Sequence, residues 1–187
     1  MKLATFTESG ATRIGVVDGD AIIDLSVAAP DLPDEMVEFL EAGKPALQTA
    51  RAAMSDGARV PLSSVTLRAP VLRPGKIMAI GLNYADHVAE AKVEMPGHQM
   101  WFSKAVTSVA GPFDEVLKPL VSDALDYEAE LCMVIGRRCK HVTYKDAHKV
   151  IAGYCCGNDV SVRDWQLRTS QFVKAGAIEN RIVAETK

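Results

Sequence analysis

The segment Leu125-Asp-Tyr-Glu-Ala-Glu-Leu-Cys-Met-Val-Ile135 constrains this chain more than any other. It has the length and apolar content of a strand, and Gly136-Arg137-Arg138 closes it. Side chains alternate along a strand with a period of two, so Glu128 and Glu130 point to one face. Neighbouring carboxylates repel, and burial raises the cost of each charge. Two arrangements accommodate them. In one, the face is wet, and Asp126, Glu128 and Glu130 simply alternate with Tyr127, Ala129 and Leu131. In the other, a shared cation lies between them. All-oxygen ligation then points to Mg²⁺ or Mn²⁺, with Ca²⁺ as a third candidate, rather than zinc. A further acid, Asp159, stands at the end of the apolar run from Ile151 to Val160. A lone aspartate at a strand end is also an ordinary turn former, so both arrangements stay open.

Composition excludes several classes. With 21 basic and 24 acidic residues the net charge is −3, and no Lys/Arg run appears, so neither nucleic acid nor an anionic membrane is an expected partner. No apolar run is long enough to span a bilayer, and MKLATFTESG lacks the apolar core of a secretory signal. A cytoplasmic location is expected. Cys132, Cys139, Cys155 and Cys156 include no C-x-x-C pair, and adjacent cysteines rarely bridge each other. Reduced, partly buried thiols are expected.

The N-terminal part reads as strands over Lys2–Phe6, Thr12–Val17 and Ala21–Asp24, with Asp18-Gly19 a hairpin signal. Pro33-Asp34-Glu35 opens a helix with an apolar face of Met36, Val37, Phe39 and Leu40, which Gly43-Lys44-Pro45 ends. A second helix over Ala46–Met54 and an extended Val65–Leu67 complete a small domain, 1–68. Two prolines and a glycine mark 69–75 as a linker. Beyond it, Lys76–Gly81 reads as a strand, Asn83–Ala91 as a helix, and Trp101–Val109 and Glu115–Leu117 as extended. Lys145–Val150 opens a helix, Ile151–Val160 is extended, and Ser161–Thr169 is helical.

Three segments carry a resemblance: Gly81-Leu-Asn-Tyr-Ala-Asp-His-Val-Ala-Glu90, Asp126-Tyr-Glu-Ala-Glu-Leu131, and Asn158-Asp-Val-Ser-Val-Arg-Asp-Trp-Gln166. In order and spacing, with Met100-Trp-Phe-Ser-Lys104 between the first two, they resemble the fumarylacetoacetate hydrolase family. The resemblance implies an α+β, β-rich fold: a small N-terminal α/β unit followed by an incomplete mixed β-sandwich roll over 76–172. It also implies that Glu128, Glu130 and Asp159 bind Mg²⁺ or Mn²⁺.

His87 and Glu90 are three apart, so on a helix they share a face. A carboxylate beside imidazole orients it and raises its basicity, which suits a general base for water. The family uses such a pair, and the resemblance places it on these two positions. Arg163 and Gln166 follow Asp159 by four and seven residues, a spacing that puts all three on one side of a helix. By resemblance they face the substrate, the arginine on a carboxylate or enolate and the glutamine on a keto oxygen. Lys104 is a further candidate for an anionic substrate, or an ordinary surface lysine. Trp101, Phe102 and Trp165 are expected as core aromatics or pocket walls. The implied activity is metal-dependent hydrolysis of a C–C bond in an acylpyruvate-type acid. Family isomerases and decarboxylases use the same enolate-stabilising metal, and an inactive metal- or acid-binding fragment is the non-enzymatic alternative.

After Gln171-Phe172 the motif resemblance ends, and 173–187 reads as a divergent tail in which Lys174 takes no catalytic role. The expectation is a C-terminally truncated member with exposed sheet edges, part of its core lost, and weak or absent activity. The family also implies a homodimer, and a small oxo acid as the partner molecule.

Overall fold

The computed structural model describes residues 1–166, so the tail lies outside the described residues. Five antiparallel strands open the chain: β1 (Lys2–Glu8), β2 (Ala11–Asp18), β3 (Ala21–Asp24), β4 (Arg59–Pro61) and β5 (Thr66–Leu67), in the order β4-β3-β2-β1-β5. The Asp18-Gly19 signal becomes the tight β2–β3 turn, where Gly19 takes φ +64°, a conformation glycine adopts without penalty. Three helices lie between β3 and β4: α1 (Leu25–Ala28), α2 (Met36–Glu41) and α3 (Gly43–Asp56).

Capping explains where these helices start. Asp24 accepts the Ser26 N–H at the head of α1, and Glu35 accepts those of Val37 and Glu38 at the head of α2. Gly43-Lys44-Pro45 interrupts the two helices for only one residue, because proline in a first turn has no intrahelical N–H to lose. Ile14, Val16, Leu25, Met36, Phe39, Ala46 and Ala50 form the buried core between this sheet and its helices. Arg13 lies at its margin, pairing with Asp24 and Glu8 and stacking 4.8 Å from the Phe6 ring centre.

The second half has shorter ladders. β6 (Ile77–Gly81) pairs antiparallel with β7 (Met100–Lys104), and α4 (Ala85–Ala91) lies between them in sequence. β8 (Leu125–Asp126) pairs with β11 (Ser161–Val162), β9 (Ala129–Ile135) with β10 (Ile151–Asn158), and α5 (Arg163–Gln166) follows β11. The architecture is thus α+β and rich in β-structure. The chain clusters into two compact units. Of the described residues, one comprises Met1–Gly75 with 106–115 and 133–155; the other comprises Lys76–Ala105, Val116–Cys132 and 156–166.

Several expected elements differ. Val106–Ser108 is a 3-10 turn, and Glu115–Leu117 forms no strand among the described residues. Lys145–Val150 is realised as a 3-10 helix over Tyr144–Lys149. Trp101, Phe102 and Trp165 are exposed rather than core, because the described β6–β7 ladder has two strands only. The four cysteines form no disulfide, and only Cys155 is half-buried. Among the described residues no helix is long and apolar enough to cross a membrane.

The energetic weight therefore falls on the N-terminal core. Replacing fully buried Phe39 by alanine should lower unfolding free energy by about 3–5 kcal/mol, read by urea denaturation. Leu120→Ala, at a fully exposed position, should change it by less than about 0.5 kcal/mol.

Candidate metal and active site

The strand expected over Leu125–Ile135 is broken at Tyr127-Glu128, and the facing chain is broken at Asp159-Val160. The two breaks oppose each other. On one side of the step β8 pairs with β11; on the other β9 pairs with β10. One backbone bond crosses it, from Asp159 N–H to the Glu128 carbonyl at 2.9 Å. Other amides lose their ladder partners there, and side chains replace them. The Asp126 carboxylate accepts the Tyr127 N–H at 2.9 Å, and the Asn158 amide oxygen accepts the Glu128 N–H at 3.1 Å. The step is what brings Glu128 and Asp159 side by side.

The wet-face arrangement predicts acids outward and apolar groups inward. The opposite holds. Tyr127 is 76% exposed and Leu131 64%, whereas the Glu128 and Asp159 side chains are 22% and 12% exposed. Glu130 is half-buried, and Gly157 faces this part of β9 because a Cβ there would lie 2.4 Å from Cys132 Sγ.

Cations satisfy the covered carboxylates. Lys104, at the end of β7, pairs with Asp159 and donates to the Val160 carbonyl at 3.1 Å. Arg163 reaches Glu128 Oε1 at 2.5 Å and Asp126 Oδ2 at 2.8 Å, and donates to Gln166 Oε1 at 3.1 Å. The bond from Arg163, opposed by partial burial and helped by the guanidinium charge, the Tyr127 N–H and the charge of His87, holds the Asp126 carboxyl below its ordinary range. Burial works against the Arg163 charge, but its bonds to Asp126 and Glu128 outweigh it and raise its pKa. Glu130 has no hydrogen bond or ion pair among the described residues.

The His87–Glu90 pair lies on α4 as expected. Buried Val88 anchors that helix; His87 is half-buried and Glu90 exposed, and no hydrogen bond joins them in this structure. Tyr84, at the helix N-cap, ties α4 to β9 by accepting the Leu131 N–H at 3.1 Å. The preceding Leu82 has φ +54°, strained for a non-glycine residue and set between a strand and the histidine helix.

The helix expected to carry Asp159, Arg163 and Gln166 together does not include Asp159. β11 intervenes, since Ser161 and Val162 pair with Asp126 and Leu125, and α5 begins at Arg163. The residues still cluster, through ion pairs instead of helical spacing. Asp126, Asn158 and Tyr84 were not assigned from sequence. The alternation of Asp126 with Glu128 was the available signal for the first; Tyr84 and Asn158 lie inside the first and third motifs, which gave them no role.

In ligand type a divalent ion suits Glu128, Glu130 and Asp159, since carboxylates offer hard oxygen ligands and Glu130 has no cation partner among the described residues. Their present positions serve Lys104 and Arg163 instead. Among the described residues no three His, Cys, Asp or Glu side chains converge closely enough to hold an ion.

Residues 76–182 match the family model "Fumarylacetoacetate (FAA) hydrolase C-terminal", running past Phe172, where the motif resemblance ended. The chain belongs to the fumarylacetoacetate hydrolase family. It is 43% identical over 156 residues to the mitochondrial oxaloacetate tautomerase Fahd2a of Rattus norvegicus, covering 82% of this chain and 49% of that protein. Similarity to the human FAHD2A tautomerase, also mitochondrial, is 43% over 152 residues, with coverages of 81% and 48%. The chain spans about half the length of the curated relatives it matches.

Among solved structures, maleylpyruvate hydrolase from Sphingobium sp. SYK-6, in complex with manganese(II) and pyruvate, matches with TM-score 0.73 and 34% identity, over 87% of this chain and 60% of that one. Fumarylacetoacetate hydrolase from Exiguobacterium antarcticum matches with TM-score 0.75 and 32% identity, over 89% and 58%. A 5-carboxymethyl-2-hydroxymuconate delta-isomerase from Mycobacterium smegmatis matches with TM-score 0.64 and 30% identity, over 89% and 57%. Hydrolase, tautomerase and isomerase chemistries thus occur among the relatives.

The step itself depends on Ser122, which is buried, donates to Asp164 at 2.7 Å and accepts the Ala124 N–H at 3.0 Å. Ser122→Ala removes both bonds at a buried position and should cost about 1–3 kcal/mol in urea unfolding.

Proposed function

We propose that this chain carries the metal-dependent site of an enzyme that forms and collapses the enolate of a 2-oxo or 1,3-dioxo acid. The observation carrying this reading is the clustering of Glu128, Asp159, Lys104 and Arg163 at one interrupted ladder. Glu128, Glu130 and Asp159 would hold the divalent ion, Mg²⁺ or Mn²⁺, with Ca²⁺ also compatible with such donors. When bound, the ion supplies Lewis acidity that lowers the cost of negative charge on the oxygen of the oxo acid. Arg163 and Lys104 bind the acid's carboxylate, and Gln166 donates its amide N–H to a keto oxygen.

His87 moves the proton. In keto–enol interconversion it takes one from the carbon beside the keto group, and a proton returned to oxygen completes the turnover. The 43% identity to oxaloacetate tautomerases favours this outcome. C–C hydrolysis of an acylpyruvate is the second reading. It needs Glu90 to swing onto His87, so that the imidazole can take a proton from a water attacking the distal carbonyl. The likeness to maleylpyruvate hydrolase supports it. The small oxo acid is the proposed partner molecule, and a homodimer the proposed assembly.

The purified chain can be tested for Mn²⁺-dependent ultraviolet absorbance loss from enol oxaloacetate and from acetylpyruvate. Turnover is expected to be weak, because the exposed faces admit water to the site. Loss of the oxaloacetate enol should exceed the metal-only rate, and His87→Asn should reduce that excess by at least about 100-fold. Calorimetry should show Mn²⁺ binding weakened at least about tenfold by Glu128→Ala. Unchanged metal affinity and turnover in Glu128→Ala would overturn the proposed site.

A further inference from the structure

Tyr84 stands at the N-cap of α4, yet its side chain makes no cap hydrogen bond. That position is ordinarily held by serine, threonine, aspartate or asparagine, whose short side chains accept the first free N–H groups of a helix. Here the hydroxyl is used elsewhere, accepting the Leu131 N–H at 3.1 Å. This amide lies on the edge of β9 that is turned away from β10. The bonds from Asp159 N–H to the Glu128 carbonyl and from Gly136 N–H to the Val150 carbonyl put even-numbered residues of the stretch on the β10 side. Strand alternation sends Leu131 to the other side. An edge N–H needs a partner, and the phenol serves as one in place of a further strand. Little else fixes α4. It is seven residues long, buries only Val88, and follows Leu82, whose φ of +54° is costly for leucine. A helix this short takes its position from its few tethers. Among the described residues the Tyr84 hydroxyl makes the only side-chain hydrogen bond from α4 or its cap.

We propose that Tyr84 is a positioning residue for His87: its hydroxyl pins the head of α4 against β9, next to Glu130 in the chain, and so sets where the imidazole reaches. His87 is the third residue of α4, and residues three apart are neighbours on a helix surface. A shift at the tether therefore carries directly to the histidine. The phenol spans the gap with only two rotatable bonds, which makes it a stiff link. In this role Tyr84 touches neither the substrate nor the transferred proton. Its loss slows proton transfer, because small misplacement of a reacting group is costly, and leaves acid binding and metal affinity in place. The role rests on the reading of His87 as the proton carrier and goes beyond it by naming what holds the histidine.

The test compares wild type, Tyr84→Phe and His87→Asn, each as the whole chain. Tyr84→Phe keeps the ring and drops the hydroxyl. With Mn²⁺ and enol oxaloacetate its kcat should fall about tenfold, while KM and calorimetric Mn²⁺ affinity stay within about twofold of wild type. A tyrosine that only stabilises the fold would lower the melting temperature and leave kcat per folded molecule unchanged, and that result would overturn the proposal. A change confined to KM or Mn²⁺ affinity would also overturn it, by placing the tether's effect on the binding groups. If wild type shows no turnover above the metal-only rate, or His87→Asn matches wild type, the proton-carrier reading falls and the positioning role falls with it. If His87→Asn is impaired and Tyr84→Phe is not, that reading stands and the positioning role alone falls. Hydrogen exchange on unmutated protein covers the case of a variant that does not fold. Leu131 is 64% exposed, yet its amide should exchange at least about tenfold more slowly than in an open chain. Exchange at the open-chain rate would show that no tether forms and would contradict the role.

Discussion

Two carboxylates, Glu128 and Asp159, lie against each other across a gap in a β-ladder, and the rest of the site depends on how their charges are balanced. A continuous ladder would bury its backbone in regular pairs and keep these side chains apart along the strands. The step at 127–128 and 159–160 breaks that regularity. Asp126 and Asn158 then satisfy amides that the ladder has dropped, and the single bond from Asp159 N–H to the Glu128 carbonyl keeps the two acids together. Once they are adjacent and largely covered, positive charge must come to them. Lys104 arrives from the end of β7 and Arg163 from the first turn of α5, so the electrostatic demand of the step ties together elements distant in sequence.

The same demand orders the neighbouring chemistry. Arg163 bridges Asp126 and Glu128, which fixes α5 against β8, while Ser122 holds Asp164 on the same short helix. Tyr84 links the helix carrying His87 to the strand carrying Glu130. Each contact is modest alone, and together they place a histidine, two cations and three carboxylates in one compact unit. The N-terminal sheet contributes most of the buried apolar side chains; beyond residue 75 the buried apolar set among the described residues contains Val88 alone. Stability and chemistry are thus carried by different parts of the chain.

Much of this was legible in the sequence. The N-terminal strands and their turn followed from period-two alternation and Asp18-Gly19, and α2 from its cap at Glu35, because those signals are local. The family followed from three ordered motifs, and the matching family model extends beyond them to residue 182. The strand break at Tyr127-Glu128 was not legible. Its cause is a long-range mismatch with the facing chain, and Leu125–Ile135 looks continuous when read alone. Spacing correctly put Glu128 and Glu130 on one side, but apolar periodicity could not say which side faces water. For Arg163 and Gln166 spacing reached the right neighbourhood for the wrong reason: an ion pair, and no shared helix, brings Arg163 to the acids. Trp101 and Phe102 show the limit of reading aromatics as core when the number of strands in a sheet is unknown.

The central proposal is that Glu128, Glu130 and Asp159 hold a divalent metal at the broken ladder. A crystal structure of the chain grown with Mn²⁺, with anomalous scattering recorded at the manganese edge, tests it most directly. The account predicts a single strong anomalous peak among Glu128, Glu130 and Asp159. No peak, or a peak only elsewhere, would contradict it.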